Sequence, residues 1–182
     1  MKEIDIEFKK SIKSADLVPS FKYEIANTYE GRTILYCYQC GTCSAGCPVL
    51  SAMEKMPHQI IRMTLLGLKS EVLESSTIWL CATCYLCNER CPQGVEISNV
   101  FFALKNIAVQ NHIIPKGLKQ LAENIYKLGV TVEMTDFQEE EREDLNLSKV
   151  SKVDTSAVQE ILQRTGLCKL LQNQKPSPEE KE

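Results

Sequence analysis

Apolar residues recur along this chain at intervals of three and four rather than in alternation, so its pattern reads as a series of helices. The segment FKYEIANTYEG, after Pro19-Ser20, predicts a short helix that starts near Ser20 and stops at Gly31, with Phe21, Ile25 and Thr28 or Tyr29 along one side. Residues 57–68 set Ile60, Ile61, Met63, Thr64, Leu65 and Leu68 around most of a helical circumference, which predicts burial on more than one face. Ser98 is placed to cap a helix carrying Val100, Phe101, Leu104, Ile107 and Ala108. Another begins at Pro115, aligns Leu118, Leu121, Ile125 and Leu128, and ends at Gly129. Ser156 and Gln159 form a capping-box pair ahead of Val158, Ile161 and Leu162, which predicts one more short helix. No strand alternation and no Asn-Gly hairpin signal appears between residues 30 and 128, and the fold class expected is all-α.

Between and beyond these helices the pattern breaks down. Residues 131–147, TVEMTDFQEEEREDLNL, are acidic and weakly periodic, which predicts a solvated connector rather than a piece of core. Residues 172–182 are polar and carry two prolines, which predicts a disordered tail. With 43% hydrophobic and 25% charged residues the rest has enough apolar surface to fold as one or two small globular domains. Lysine and arginine number 21 against 24 acidic residues, a formal charge of -3 that offers no pull toward a phosphate backbone, so no nucleic-acid partner is expected. The most apolar stretch, 60–68, contains Arg62 and is far short of the roughly 20 residues that span a bilayer. The first 17 residues lack the apolar run of a secretion signal, so a cytoplasmic protein without direct membrane insertion is expected.

Cysteine distribution sharpens this picture. Eight of the nine cysteines fall in two runs of identical spacing: Cys37, Cys40, Cys43 and Cys47-Pro48, then Cys81, Cys84, Cys87 and Cys91-Pro92. The spacing C-x-x-C-x-x-C-x-x-x-C-P is the bacterial-type [4Fe–4S] signature, in which three cysteines wrap one cluster and the fourth reaches the other. The expected ligand sets are therefore crossed: Cys37, Cys40, Cys43 and Cys91 for one cluster, Cys81, Cys84, Cys87 and Cys47 for the second. Two oxidised clusters with their thiolates take the formal charge from -3 to about -7, which calls for oriented N–H groups close to the sulfurs. Gly41, Thr42, Ser44, Ala45 and Gly46 are small enough to allow that approach. Zinc is the competing metal, but its ribbon sites pair two C-x-x-C knuckles a dozen or more residues apart, unlike four cysteines crowded into eleven positions.

The remaining chemistry is sparse. Arg90, inside the second run, either offsets cluster charge or faces solvent or an ion-pair partner. His58 and His112 have no partnering constellation and are expected to be structural or surface residues. Trp79 is expected to be a packing lid against water, and Cys168 a small hydrophobe near the last helix. No dinucleotide loop, phosphate loop or Ser-His-Asp set is present, so no catalytic residue is expected on this chain.

The strings CYQCGTCSAGCP and IWLCATCYLCNERCPQGVEI resemble the C-type iron–sulfur subunit of heterodisulfide reductase, within the wider group of α-helical ferredoxins. The resemblance covers about residues 30–128 and implies an α-helical ferredoxin domain over 31–129 with two [4Fe–4S] clusters, flanked by an N-terminal helical extension over 1–30 and, over 130–171, the acidic connector and short C-terminal helix. It further implies an electron-relay protein serving methanogenesis: a flavin-containing partner subunit delivers electrons, and a second partner with C-C-G motifs reduces the disulfide of coenzyme M and coenzyme B. A hydrogenase or formate dehydrogenase would feed the larger complex. No C-C-G motif occurs in this chain. The other readings are a two-cluster relay for a quinone- or sulfur-compound-linked oxidoreductase, a free-standing ferredoxin, and a structural zinc module.

Overall fold

Phe21 and Ile25, one turn apart, form the entire buried stripe of the first helix, α1 (Phe21–Ala26). This helix is shorter than its periodicity predicts because Thr28 intercepts it. The Thr28 hydroxyl donates to the Ile25 carbonyl at 2.7 Å and accepts the Gly31 N–H at 2.9 Å, replacing the next helical turn with a tight side-chain-closed loop. Gly31 is required there by proximity. A Cβ on it would lie 2.2 Å from the Ile25 carbonyl oxygen and 2.6 Å from Ile25 Cγ2. Gly31→Ala is therefore expected to cost about 1–3 kcal/mol as overpacking against backbone, read as a lowered thermal midpoint in circular dichroism; an unchanged midpoint would show that the turn relaxes freely.

The computed structural model describes residues 14–148 and 153–172. Its contacts divide the chain into two units, Met1–Ile107 and Ala108–Glu182. Residues 1–13 of the expected N-terminal extension and, beyond its first residue, the expected disordered tail lie outside the described residues. Among those described, the secondary structure is helical and no strand occurs, so the fold is all-α as expected.

In the first unit, α2 (Thr42–Ala45) is a single turn, and α3 (Pro57–Leu66) supplies the central buried face through Pro57, Ile60, Ile61 and Thr64. The Thr64 hydroxyl is satisfied by the Ile60 carbonyl at 2.8 Å, which lets a polar residue sit fully buried. Gly67 ends α3 at φ +86° and accepts the Val18 N–H at 2.7 Å, tying the approach to α1 onto the end of α3. Then come α4 (Lys69–Leu73), α5 (Ser76–Leu80), the single turn α6 (Leu86–Glu89) and the long α7 (Ile97–Gln110). Val72, Ile78, Val100, Phe101 and Leu104 from these helices complete the core. Ser98 does not cap α7. It lies in the first turn, and its N–H is taken by the Asn88 side chain at 2.8 Å, so α7 is capped by a residue of the second cysteine run.

The second unit contains α8 (Lys116–Leu128), α9 (Asp136–Asp144), α10 (Ser156–Arg164) and α11 (Leu167–Gln172). Helix α8 begins after Pro115 and ends at Gly129 with φ +73°, as its pattern predicts. Its leucine face is left open: Leu118, Leu121 and Leu128 are exposed. The acidic segment expected to be irregular carries α9, capped reciprocally by Thr135 and Gln138, although the helix buries nothing. The cap of α10 is Thr155 rather than Ser156; Gln159 Nε2 donates to Thr155 Oγ1 at 3.3 Å and to the Tyr126 carbonyl at 3.0 Å, linking α10 to α8. No described helix is long and apolar enough to cross a membrane.

Candidate metal centre

The two cysteine runs share little sequence beyond cysteine and proline, yet their backbones repeat. The residue before the second cysteine is left-handed in both, Gln39 at φ +70° and Thr83 at φ +56°. So is the residue after it, Gly41 at φ +80° and Tyr85 at φ +61°. Space around Gly41 is open, so glycine serves φ there and not a close approach. Backbone hydrogen bonds repeat at the same offset of 44: Ser44 N–H to Gly41 and Asn88 N–H to Tyr85, Cys47 N–H to Ser44 and Cys91 N–H to Asn88, Leu50 N–H to Cys47 and Gly94 N–H to Cys91. Holding Thr83 and Tyr85 left-handed costs about 1–3 kcal/mol each, strain of the kind that collects at functional sites. Each run thus bends its first three cysteines into one loop, closes with a single helical turn, and sends its fourth cysteine onward.

The fourth cysteine of the first run arrives at the second. One cavity is lined by Cys47 together with Cys81, Cys84 and Cys87, and by Cys43 of the first run as well. Its other walls are largely apolar, including Val49, Met53, Leu86, Ile97 and Phe101. At the other run, Tyr38 is pushed above the usual phenol value first by its hydrogen bond to Cys40, then by the charge of Cys40, with burial and the charge of Cys91 contributing less. The Val95 N–H donates to Cys91 Sγ at 3.3 Å, and the Glu96 N–H donates to Thr33 Oγ1 at 3.0 Å, so the exit of the second run is fastened to the entrance of the first.

The thiols sit in contrasting surroundings. Burial pushes Cys43 up to about 11 and raises Cys87 as well. Cys40 is exposed and lowered, first through the Thr42 hydroxyl, whose oxygen lies 3.3 Å from its sulfur. Burial disfavours a bare thiolate at Cys43, and a bound iron would supply the offsetting positive charge. Thiol-lined, largely apolar walls and a loop shape repeated at both runs suit iron–sulfur ligation.

The other candidate residues divide between neighbours of the site and bystanders. His58 holds the first loop: its Nδ1 is 2.7 Å from Ser44 Oγ, and its backbone N–H donates to the same oxygen at 3.0 Å. Arg90 is exposed, but its guanidinium lies on Gly46 of the first run, where a Cβ would meet Nη1 at 2.6 Å, so it bridges the runs. Trp79 is half-buried on α5 with its indole N–H buried and without a hydrogen-bond partner. His112 is left-handed at φ +61° just past α7, and Cys168 is half-buried in α11; both belong to the second unit. Spacing alone gives no role to Gln39 and Ser98, whose side chains reach sulfur: Gln39 Nε2 lies 3.2 Å from Cys37 Sγ and Ser98 Oγ 3.2 Å from Cys87 Sγ. A polar side chain between two cysteines is the signal available for Gln39; Ser98 carries none.

Fold and site together define an α-helical dicluster iron–sulfur protein. Residues 33–95 match the family described as 4Fe-4S dicluster domain. Beyond that domain, the chain is 35% identical over 146 residues to the C-type iron–sulfur subunit of the CoB--CoM heterodisulfide reductase of Methanopyrus kandleri, covering 76% of each chain. It is 32% identical over 174 residues to the corresponding subunit of the H(2):CoB-CoM heterodisulfide,ferredoxin reductase of Methanothermobacter marburgensis, covering 92% of this chain and 86% of that one. A third relative, from the Ferredoxin:CoB-CoM heterodisulfide reductase of Methanosarcina mazei, is 31% identical over 120 residues, 66% of this chain and 74% of that one. The chain belongs to the family of C-type iron–sulfur subunits of heterodisulfide reductase.

Proposed function

We propose that this chain is the electron-relay subunit of a cytoplasmic heterodisulfide reductase complex, passing single electrons from a flavin-containing subunit to the one that reduces the coenzyme M–coenzyme B disulfide. The observation that carries the reading is that Cys47 lines one largely apolar cavity with Cys81, Cys84 and Cys87 in a member of this iron–sulfur family. When bound, each cluster supplies a one-electron couple. The protein's share is to hold and to shield. Cys37, Cys40, Cys43 and Cys91 hold one cluster, Cys81, Cys84, Cys87 and Cys47 the other, and the exchange of fourth ligands locks the two loops together. Phe101, Met53 and Val49 keep water from the second site. Reduction of a disulfide takes two electrons and releases two thiolates at one centre, chemistry for which this chain offers no open ligand position once all eight cysteines are engaged. The cytoplasmic assignment rests on the reduced, metal-binding use of cysteine, and a hydrogenase or formate dehydrogenase completes the proposed assembly.

Anaerobic native purification through this chain, with mass spectrometry of what co-purifies, tests the reading. A flavoprotein and a C-C-G protein are the expected companions. Recovery of a quinone-reactive partner in their place would reassign the relay to a different oxidoreductase.

A further inference from the structure

Because the two loops share one backbone, they form an internal control for what their side chains do. Position by position at the offset of 44, Gln39 corresponds to Thr83 and Thr42 to Leu86. In the first loop both side chains reach sulfur: Gln39 Nε2 donates to Cys37 Sγ at 3.2 Å, and the Thr42 hydroxyl lies 3.3 Å from Cys40 Sγ. In the second loop the counterparts do not. Thr83 Oγ1 turns to the Cys81 carbonyl at 3.5 Å, and Leu86 has no donor to offer and lines the apolar cavity. The second site receives its side-chain donor from outside the run, Ser98 Oγ at 3.2 Å from Cys87 Sγ.

A hydrogen bond to a ligating sulfur draws off negative charge and favours the reduced, more anionic cluster, so it raises the potential. We infer that Gln39 and Thr42 are positioning residues that set the first-loop cluster at the higher potential of the two. The inference rests on the proposed relay, in which the three cysteines of each loop share a cluster, and with crossed ligands the Val95 N–H on Cys91 adds a third donor on the first side. One cation opposes it from the second side, Lys105, whose Nζ contacts the Cys81 carbonyl at 3.4 Å. Lys105 meets a carbonyl rather than a sulfur, so the direct donors dominate, and the exposed Arg90, lying on Gly46 between the runs, favours neither site. An electron arriving at the second site then moves to the first, one site oxidised and the other reduced by one electron with no proton transferred.

The matched residues supply the test. In Gln39→Thr/Thr42→Leu the loop receives side chains that the same backbone already carries at residues 83 and 86, so folding is preserved by design. An EPR-monitored redox titration of the purified, iron-replete protein is expected to show the higher of two midpoint potentials moving down and the lower unmoved. The reciprocal Thr83→Gln/Leu86→Thr is expected to move the lower one up. Movement of the lower potential in the first variant, or of neither in both, overturns the inference. Iron and sulfide content keeps the two levels apart: a wild-type chain without two [4Fe–4S] clusters defeats the relay reading itself, whereas two clusters with unshifted potentials defeat only this inference.

Discussion

A chain carrying Cys37→Ala together with Cys91→Ala is expected to keep one cluster intact, whereas Cys37→Ala together with Cys47→Ala should disturb both. Intact protein holds about eight irons, four per cluster. If the fourth cysteines are exchanged, Cys37 and Cys91 serve the same cluster, and their joint loss leaves one EPR signal at its wild-type potential with about four irons. Cys37 and Cys47 then serve different clusters, so neither signal survives at its wild-type potential. An uncrossed arrangement reverses the two results. The comparison is independent of how severe any single substitution is, since both double variants remove two thiolates and share Cys37→Ala. The cavity that Cys47 shares with the second-run cysteines, and the Glu96–Thr33 hydrogen bond that brings the exit of the second run to the entrance of the first, favour the crossed outcome.

The chemistry of this protein was legible because each cysteine run encodes it locally: the spacing C-x-x-C-x-x-C-x-x-x-C-P is itself an iron–sulfur signature. The helices were legible where one buried stripe dictates them, as with Phe21 and Ile25 in α1 or Ile60, Ile61 and Thr64 in α3. What periodicity missed was set by partners far away in sequence or by side chains competing with the backbone. Thr28 cuts α1 short by bonding Gly31, and Asn88 takes the capping role expected of Ser98. Ser98 is thereby released to bond Cys87. The acidic α9 went unread because it has no buried face; reciprocal capping by Thr135 and Gln138 defines its start. The left-handed Thr83 and Tyr85 were invisible for a related reason: neither residue type advertises that conformation, and the glycine at the matching position of the first run, Gly41, signals it for Tyr85 alone, Thr83 matching Gln39.

That internal copy also explains how the site tolerates divergence. Backbone geometry fixes where sulfurs point, and the repeated hydrogen bonds of Ser44, Cys47 and Leu50 with those of Asn88, Cys91 and Gly94 maintain it without side chains. Side chains are then free to specialise. His58 and Ser44 secure the first loop, while Asn88 and Ser98 secure the second against α7. Two sites of one shape can therefore differ in electrostatics, the condition for directional transfer.

Phe101→Ala is expected to produce the largest loss of stability of any single substitution at the site's edge. Phe101 is 1% exposed, sits in α7, and forms part of the wall behind Cys81, Cys84 and Cys87. Emptying that volume costs about 3–5 kcal/mol in lost burial and residual cavity, a large share of the roughly 5–15 kcal/mol that keeps a domain folded. The effect reaches the metal because α7 is anchored to the second run through Asn88 and Ser98, so loosening the helix loosens the loop. Metal binding and folding are thermodynamically coupled in such sites. Anaerobic denaturant titration should therefore show the helical signal and cluster absorbance falling together at a lower midpoint, with faster cluster loss in air as water gains entry. Phe101→Leu should recover more than half of the deficit by refilling most of the volume. Phe102, the next residue on the same helix, is exposed, and Phe102→Ala is expected to change stability by about 0.5 kcal/mol or less. Equal effects at the two positions would mean that burial against the cysteine cavity is not what Phe101 contributes.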